Sequence, residues 1–538
     1  MRLDDLASTD IPGVLAVSPT AQPLRIVALA YDSRSVKPGT LFFCVPGAEC
    51  DGHEFARAAI EAGASALVVE RSLGLGVPEV LVESVRAAMG PLAARFYGDP
   101  TADLKVIGVT GTNGKTTIAH LIRGMLEAED RRCGLLGTVH SVIAGAEQGA
   151  AVRTTPEAID LQRDFRAMLD GGDSYCAMEV SSHALALDRT SGTRFAAAVF
   201  SNLTQDHLDF HTTMEDYFQA KRLLFAPASP APAPGVSVVN LDDPYGRRLA
   251  GELEGAVTFA IEDGGESESP GASKNSGKGG REGAEADYRA RDLRLELTGS
   301  SFTLHTPAGE RALRLPLAGR FNIANALAAF AVCHSLGCEL DTLVAALEQG
   351  VRVPGRLEPI EEGQGFAVLV DYAHTPDSLE RVLQAAHDLG EGRVICVFGA
   401  GGDRDRGKRP LMGEIGARLA DVLLVTSDNP RSEEPEAIVA EIMAGAQQVE
   451  RPRDAAPVRV EVDRRAAIEQ AVALAREGDV LVIAGKGHEQ GQEFARGVKL
   501  PFDDVSVARE VLRCRRLSDR GERQSGEAAP AASKAHSR

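Results

Sequence analysis

Short apolar runs closed by glycine alternate along most of this chain with segments whose apolar positions recur at the three- and four-residue spacing of a helix. That alternation predicts βα units around largely parallel sheets, an α/β fold. Residues 41–45 and 66–69 read as strands and 54–62 and 85–96 as helices, and the turn Tyr97-Gly98-Asp99-Pro100 closes this first unit. A second unit opens with a strand over 104–109, turns through glycines into a helix over 115–127, and continues with buried strands near 175–180, 196–201 and 236–240. After Arg352-Val353-Pro354-Gly355, strands over 366–370, 394–398, 422–426 and 480–483 alternate with helices such as 377–389 and 435–447. This last order is doubly wound and Rossmann-like, and in such sheets ligands sit at the carboxyl ends of the strands.

Three domains are expected: N-terminal over 1–103, central over 104–352 and C-terminal over 353–515. Three stretches fall outside any core. The proline-rich run 226–235 reads as a stiff connector. Residues 262–286 carry no large apolar side chain and read as a disordered insert, and 516–538, with Leu517 alone, reads as a mobile tail.

Composition narrows the function. With 77 acidic against 58 basic residues the chain of 538 carries a formal charge of −19, which argues against broad adhesion to nucleic acid or anionic lipid. No run approaches the roughly 18 apolar residues of a membrane span, and the acidic start MRLDDLASTD does not resemble a signal peptide, so a cytoplasmic location is expected. The eight cysteines form no CxxC pair and are expected to be buried, reduced and structural.

Chemistry concentrates in GVTGTNGKTT, residues 108–117, between a strand and a helix. Glycines let backbone N–H groups curl around phosphate oxygens, the helix N-terminus adds positive potential, Lys115 supplies a point charge, and the Thr116 hydroxyl can reach a magnesium ion. Val109 stands where the strict GxxxxGK[ST] pattern has its first glycine, so the loop is a shorter variant. Glu179 ends a buried strand and is placed to serve magnesium. Downstream lie Asp206, His207, Asp209, His211 and Lys221. His207 and His211 lack the glutamate that zinc peptidases require after the first histidine. Lys221 falls on the apolar stripe of Tyr217, Phe218, Leu224 and Phe225, and so either faces inward or snorkels to the surface.

The ordered set GTNGKTT, MEVSSHAL, SNLTQDHLDFH with AKRLLF, GRFNIANALAA, PGRLE, DYAHTPDSLE, FGAGGDRDRGKRP, DNPR and GKGHE resembles the Mur ligases, ATP-dependent amide-bond ligases of bacterial cell-wall peptide synthesis. The likeness runs over roughly residues 25–507. It implies a first domain for a UDP-sugar, a central P-loop-type ATPase domain and a mobile C-terminal domain for an incoming amino acid. The implied reaction adds meso-2,6-diaminopimelate to UDP-N-acetylmuramoyl-L-Ala-D-Glu through an acyl phosphate, with release of ADP and phosphate, by a cytoplasmic monomer.

The resemblance also assigns residues. Gly111, Thr112, Asn113, Gly114, Lys115, Thr116 and Thr117, with Asn325, Arg356, Asp371 and His374, would face ATP. Thr116 and Glu179 would hold one magnesium and His207 a second, while Lys221, carbamylated by carbon dioxide, would supply a further carboxylate. Ser33, the 47–51 turn, Thr154, Thr155, Ser181 and Arg189 match the contacts to the sugar-peptide, whereas Leu187 stands where the family often has glutamine. Arg404, Asp428, Asn429, Pro430, Arg431, Gly485 and Glu489 match the diaminopimelate site. A guanidinium at Arg431 suits the second carboxylate that distinguishes diaminopimelate from lysine. Two other readings of the residues stay open: a lysine-adding or folate polyglutamate ligase with the same loop, and a non-catalytic nucleotide-binding scaffold, which has no need of Lys115, Glu179, His207 and Lys221 together.

Overall fold

The computed structural model describes residues 1–19, 22–47, 50–149, 153–226, 232–262, 285–351, 353–451 and 456–526. Positions 227–231 of the proline-rich connector, positions 263–284 of the expected insert and positions 527–538 of the tail lie outside the described residues.

Three large sheets carry the chain. The first orders its strands Val14–Val17, Glu79–Val82, Ala64–Val69, Thr40–Phe43 and Ala28–Ala30, all parallel except the first. The second has eleven strands. At its centre Lys105–Thr110 pairs in parallel with Tyr175–Glu179 on one side and Phe195–Phe200 on the other. A strand walled in on both flanks and both faces reads as a continuous apolar run, which is why VIGVT was recognisable. Its residues alternate between two cores: Ile107 and Val109 pack with the phosphate-loop helix Lys115–Ala128, while Val106 packs with Phe165 and Phe218. The helix Arg320–Ser335 is apolar on nearly every side and is accordingly buried on nearly every side. The third sheet has six strands, with Ala367–Asp371, Val480–Ala484, Val394–Phe398 and Val422–Val425 in parallel register.

The sequence reading missed the antiparallel meander Tyr288–Glu296, Gly299–Thr306 and Gly309–Leu315 on one edge of the second sheet. Its strands bury one face only, so they alternate apolar with charged residues instead of forming the solid runs used to find the parallel strands. Both ends of the expected insert are ordered: Glu262 N donates to Ala290 O (3.0 Å), and Ala286 is buried. The tail also needs correcting, because the last helix runs Asp504–Gly526 and carries well past Arg516. Long basic side chains hold it where apolar ones are lacking: Arg513 Nε donates to Glu362 Oε2 (2.9 Å), Arg516 Nη1 to Glu362 O (2.9 Å) and Arg515 Nη2 to Ala475 O (3.0 Å). Two cysteines likewise depart from expectation, since Cys50 and Cys514 are exposed; all eight are unpaired. Among the described residues no helix is long and apolar enough to cross a membrane.

Apolar side chains cross both domain joints. Ala158 and Ile159 of the central domain belong to the core of the first, and helix Val85–Phe96 lies so close to Ser191 that a Cβ on Gly90 would fall 2.0 Å from Ser191 O. Ala318 and Phe321 of the central domain likewise pack into the core of the C-terminal one, and polar groups add to that joint, with Asn113 Nδ2 donating to Asp377 Oδ2 (2.8 Å) and Arg356 Nη2 to Thr116 Oγ1 (3.1 Å).

Inside the third domain one buried ion pair fixes two functional strand ends. Arg464 and Asp504 are both fully buried and joined by two hydrogen bonds of 2.8 and 2.7 Å. Arg464 also donates to Ser427 O (3.3 Å) and Ala484 O (2.9 Å), the residues that lead into DNPR and GKGHE. Asp504→Ala would strand a buried guanidinium, and we expect it to destabilise the C-terminal domain by about 3–5 kcal/mol, read by urea unfolding; a loss below about 1 kcal/mol would refute that role.

Candidate active site

The carboxyl ends of three neighbouring parallel strands, Lys105–Thr110, Tyr175–Glu179 and Phe195–Phe200, meet at the phosphate loop. Gly111 has φ +147° and Gly114 φ +90°. A Cβ on Gly111 would fall 1.9 Å from Ser201 Oγ, and one on Gly114 2.3 Å from Asn325 Oδ1, so glycine is required at both for space as well as conformation. Segment 201–202 straps the loop: Ser201 Oγ donates to Asn113 O (2.6 Å), and Asn113 N donates to Asn202 Oδ1 (2.9 Å). The helix Lys115–Ala128 then starts with its unbonded N–H groups aimed into the cavity, the arrangement that binds phosphate.

Two lysines converge on one carbonyl here. Lys115 Nζ donates to Gly111 O (3.0 Å) and Thr112 O (2.7 Å), and Lys221 Nζ donates to the same Gly111 O (2.8 Å). Lys221 is buried, with its Nζ 4.5 Å from the centre of the Tyr217 ring, which settles its orientation as inward. Burial pushes the Lys221 pKa well below that of a free lysine, and the charge of Lys115 pushes the same way. Burial also lowers Lys115, opposed by Glu179 and Asp206.

Glu179 faces the lysines from the adjacent strand end. Its Oε1 accepts from Thr116 Oγ1 (3.0 Å) and Thr138 N (2.8 Å), and its Oε2 accepts from Thr138 Oγ1 (3.0 Å). Thr138 was missed in the sequence because it has no local signal; only the neighbouring strand Cys133–Leu136 brings it to Glu179. His207 lines the same cavity with φ +54° and its Nε2 3.4 Å from Asp206 Oδ2. Burial lowers the His207 pKa against the opposing charge of Asp206, so the imidazole is neutral and able to ligate. His374 and Arg356 reach this cavity from the third domain. The donor set suits magnesium. Among the described residues no three His, Cys, Asp or Glu side chains cluster tightly enough to hold a metal alone, whereas the Thr116 hydroxyl and Glu179 carboxylate are hard oxygens 3.0 Å apart that leave positions for phosphate and water. Asn325, Arg356 and Asp371 line an adjoining cavity with Gly114 and Thr117.

Of the residues expected to meet a sugar-peptide, Thr154 and Ser181 line the cavity of Lys115 and Glu179, and Thr138 Oγ1 lies 3.0 Å from Thr154 Oγ1. Thr155 is buried, and its hydroxyl donates to Glu179 O (2.9 Å), so it builds the site's wall. Arg189 Nη1 donates to Thr155 O (3.3 Å). Ser33 begins a 3₁₀ turn in the first domain and does not line that cavity; the link from its neighbourhood to the central domain is Tyr31, whose hydroxyl donates to Asp160 Oδ2 (2.7 Å).

A separate, large cleft is lined by Thr138 and His140 of the central domain and by Asn429, Arg431, His488 and Glu489 of the third. Fully buried Lys486 organises it, donating to Asn429 Oδ1 (2.9 Å) and Glu489 Oε2 (2.8 Å) and lying 3.7 Å from Asp428 Oδ1. A Cβ on Gly485 would fall 2.6 Å from Asp428 Oδ2. Arg431 takes φ +52°, its Nε donating to Glu493 Oε2 (2.9 Å) and its Nη1 to Gly402 O (2.7 Å), which leaves Nη2 for a ligand. Asp428, Pro430 and Gly485 are buried behind these groups, Arg404 is exposed, and none of the four lines the cleft. Arg404 donates instead to Asp403 O (2.9 Å).

Burial, reinforced by the charge of Lys408, lowers the pKa of His374 to about 4 from its ordinary 6.5. The unfolded chain therefore binds the extra proton across roughly pH 4–6.5 while the folded chain does not, and stability falls as pH drops through that window. His374→Gln should flatten the pH dependence of the unfolding midpoint there, and an unchanged slope would rule out this cause.

Three family models cover the chain: the Mur ligase family catalytic domain over residues 25–97, the Mur ligase middle domain over 109–333, and the Mur ligase glutamate ligase domain over 355–487. The UDP-N-acetylmuramoyl-L-alanyl-D-glutamate–2,6-diaminopimelate ligase of Syntrophomonas wolfei is 46% identical over 491 residues, 91% of this chain and 95% of its own. The protein of the same name from Streptomyces coelicolor is 43% identical over 95% of this chain and 97% of its own. A solved structure of a ligase of that name aligns with a TM-score of 0.63 at 34% identity, over 92% of this chain and 96% of that one. Folylpolyglutamate synthase of Mycobacterium tuberculosis, at 19% identity and a TM-score of 0.56 over 74% of this chain and 92% of that one, shares the fold alone. Matched along its three domains and at 46% identity over 91% of its length, the chain belongs to the Mur ligase family.

Proposed function

We propose that this chain joins meso-2,6-diaminopimelate to the γ-carboxylate of UDP-N-acetylmuramoyl-L-Ala-D-Glu at the expense of ATP, in the synthesis of peptidoglycan. The observation that carries this reading is Arg431, whose guanidinium lines the large cleft with one nitrogen uncommitted. Diaminopimelate brings a second carboxylate that lysine lacks, and an arginine offers it a charge-assisted donor. A folate ligase has no need of that cleft chemistry, and a scaffold has no need of Lys115, Glu179, His207 and Lys221 on one cavity.

Carboxylate and amine do not condense unaided in water. In the proposed sequence a carboxylate oxygen of the D-glutamyl residue displaces ADP from the γ-phosphorus, and the amine nitrogen then displaces phosphate from the acyl carbon and loses a proton. Lys115 and the helix N-terminus hold the phosphates in line, and the lysine charge offsets the charge spread over the transferred group. Thr116 and Glu179 would hold magnesium, which supplies further charge neutralisation at the phosphates. Lys221 is proposed to react as the neutral amine with carbon dioxide, giving a carbamate and a proton. Two features support this: its lowered pKa, and the relief of repulsion with Lys115 when an anion replaces the ammonium. Use of ATP makes the cytoplasm the compartment of this reaction, and all the residues named lie in one chain, so a monomer suffices.

Purified protein with ATP, magnesium and the sugar-dipeptide should release phosphate with diaminopimelate and far less with lysine; equal turnover with lysine would sink the assignment. Arg431→Ala should raise KM for diaminopimelate at least about tenfold, about 1.4 kcal/mol, with KM for ATP unchanged. Lys221→Met should lower kcat by about 10²-fold or more, as expected for loss of a group that stabilises transition-state charge.

A further inference from the structure

Helix Lys408–Leu419 opens at the edge of the third domain that faces the phosphate loop. It and helix Pro376–Leu389 each follow a strand of the same direction, Val394–Phe398 and Ala367–Asp371. His387 Nε2 donates to Leu419 O (2.7 Å), which ties the carboxyl ends of the two helices together, so their amino ends share one edge. At that edge Asp377 Oδ2 accepts from Asn113 Nδ2 of the phosphate loop (2.8 Å). The two basic residues that begin helix Lys408–Leu419 are both buried, and only one is paired. Arg409 is fully buried and donates to Glu433 (2.7 Å) and Glu441 (2.8 Å). Lys408 is 6% exposed, and among the described residues no hydrogen bond or ion pair reaches its ammonium. Asp405, three residues earlier, turns an oxygen to Gly407 N instead (2.8 Å). The helix start has no side-chain cap and no acidic residue in its first turn. An unpaired buried cation at the positive end of a helix is costly, and an incoming anion relieves both the charge and the dipole.

The neighbours of this charge say which anion it is. Lys408 acts electrostatically on Asp206 of the central domain and on His374 of the third, and both line the phosphoryl-transfer cavity. We infer that Lys408 and the amino end of its helix bind the phosphoryl group in transfer, first as the acyl phosphate and then as free phosphate. The site rests on the reaction proposed above. Lys408 Nζ donates to a phosphate oxygen while the D-glutamyl carboxylate takes the group from ADP, and keeps that bond when the amine displaces phosphate from the acyl carbon. Lys115 holds the same group from the central domain. A compact ammonium on a flexible stem suits a group whose oxygens shift between the two steps. The charge of the transferred group is then fully met only while the domain that carries Arg431 is seated on the phosphate loop, which couples phosphoryl transfer to the domain that brings the amine.

Arsenate in the reverse direction tests the site. With the full chain, magnesium, ADP and the ligated tripeptide product, an arsenate oxygen displaces the amine from the new amide and the nitrogen takes up a proton. The acyl arsenate then hydrolyses, so release of diaminopimelate reads the occupancy of the phosphoryl position. Lys408→Met should raise KM for arsenate at least about tenfold and leave KM for ADP within about twofold. In the forward direction it should lower kcat by about 10²-fold with KM for diaminopimelate within about threefold. Lys408→Arg should recover part of the arsenate affinity. Wild-type KM for arsenate and wild-type kcat in Lys408→Met overturn the site. So does a uniform rise in KM for arsenate, ADP and diaminopimelate with a lowered unfolding temperature, the result of a structural role. If the unmodified chain neither ligates diaminopimelate nor releases it with arsenate, the assigned reaction falls and the site with it. If it does both and Lys408→Met matches it, the site falls alone.

Discussion

Two buried lysines held on one carbonyl govern this active site. Lys115 and Lys221 donate to the same carbonyl of Gly111, in a cavity whose burial penalises both charges. Neither can be moved off, because Lys115 follows a loop strapped to Ser201 and Asn202, and Lys221 rides a helix packed through Tyr217 and Phe218. The charges are relieved in two ways: phosphate arrives beside Lys115, or Lys221 ceases to be cationic.

Apolar side chains cross both joints between domains. The first domain shares an apolar core with the central one, and close backbone contact at Gly90 leaves little room for sliding. The C-terminal domain touches the phosphate loop through Asn113 with Asp377 and Thr116 with Arg356, polar pairs that exchange with water at small net cost.

Much of the fold was legible along the chain. The parallel strands announced themselves as solid apolar runs because they are covered on both faces, and helix Val85–Phe96 matched its periodicity residue for residue. What escaped were elements whose partners lie far away in sequence. The meander Tyr288–Leu315 has one wet face and a weaker pattern, and the last helix is anchored as far as Arg516 by arginines reaching Glu362 and carbonyls near its neighbour. At the site, the loop, Glu179, Lys221 and DNPR were visible as motifs. Thr138 and Lys486 gained their roles only from the strands that bring them to Glu179 and to Asn429 with Glu489.

By itself the sequence determined which groups are chemically able to act: a glycine-rich loop that admits phosphate, hard oxygens for magnesium, and a guanidinium for a second carboxylate. Those are properties of residue type and short spacing, which survive without a fold. The tertiary structure decided which of them meet. It turned Lys221 inward onto Gly111, set Thr155 as a wall and withdrew Arg404 from the cleft lining. The reason is that charge, burial and hydrogen-bond satisfaction depend on distances between residues remote in the chain, and only packing sets those distances.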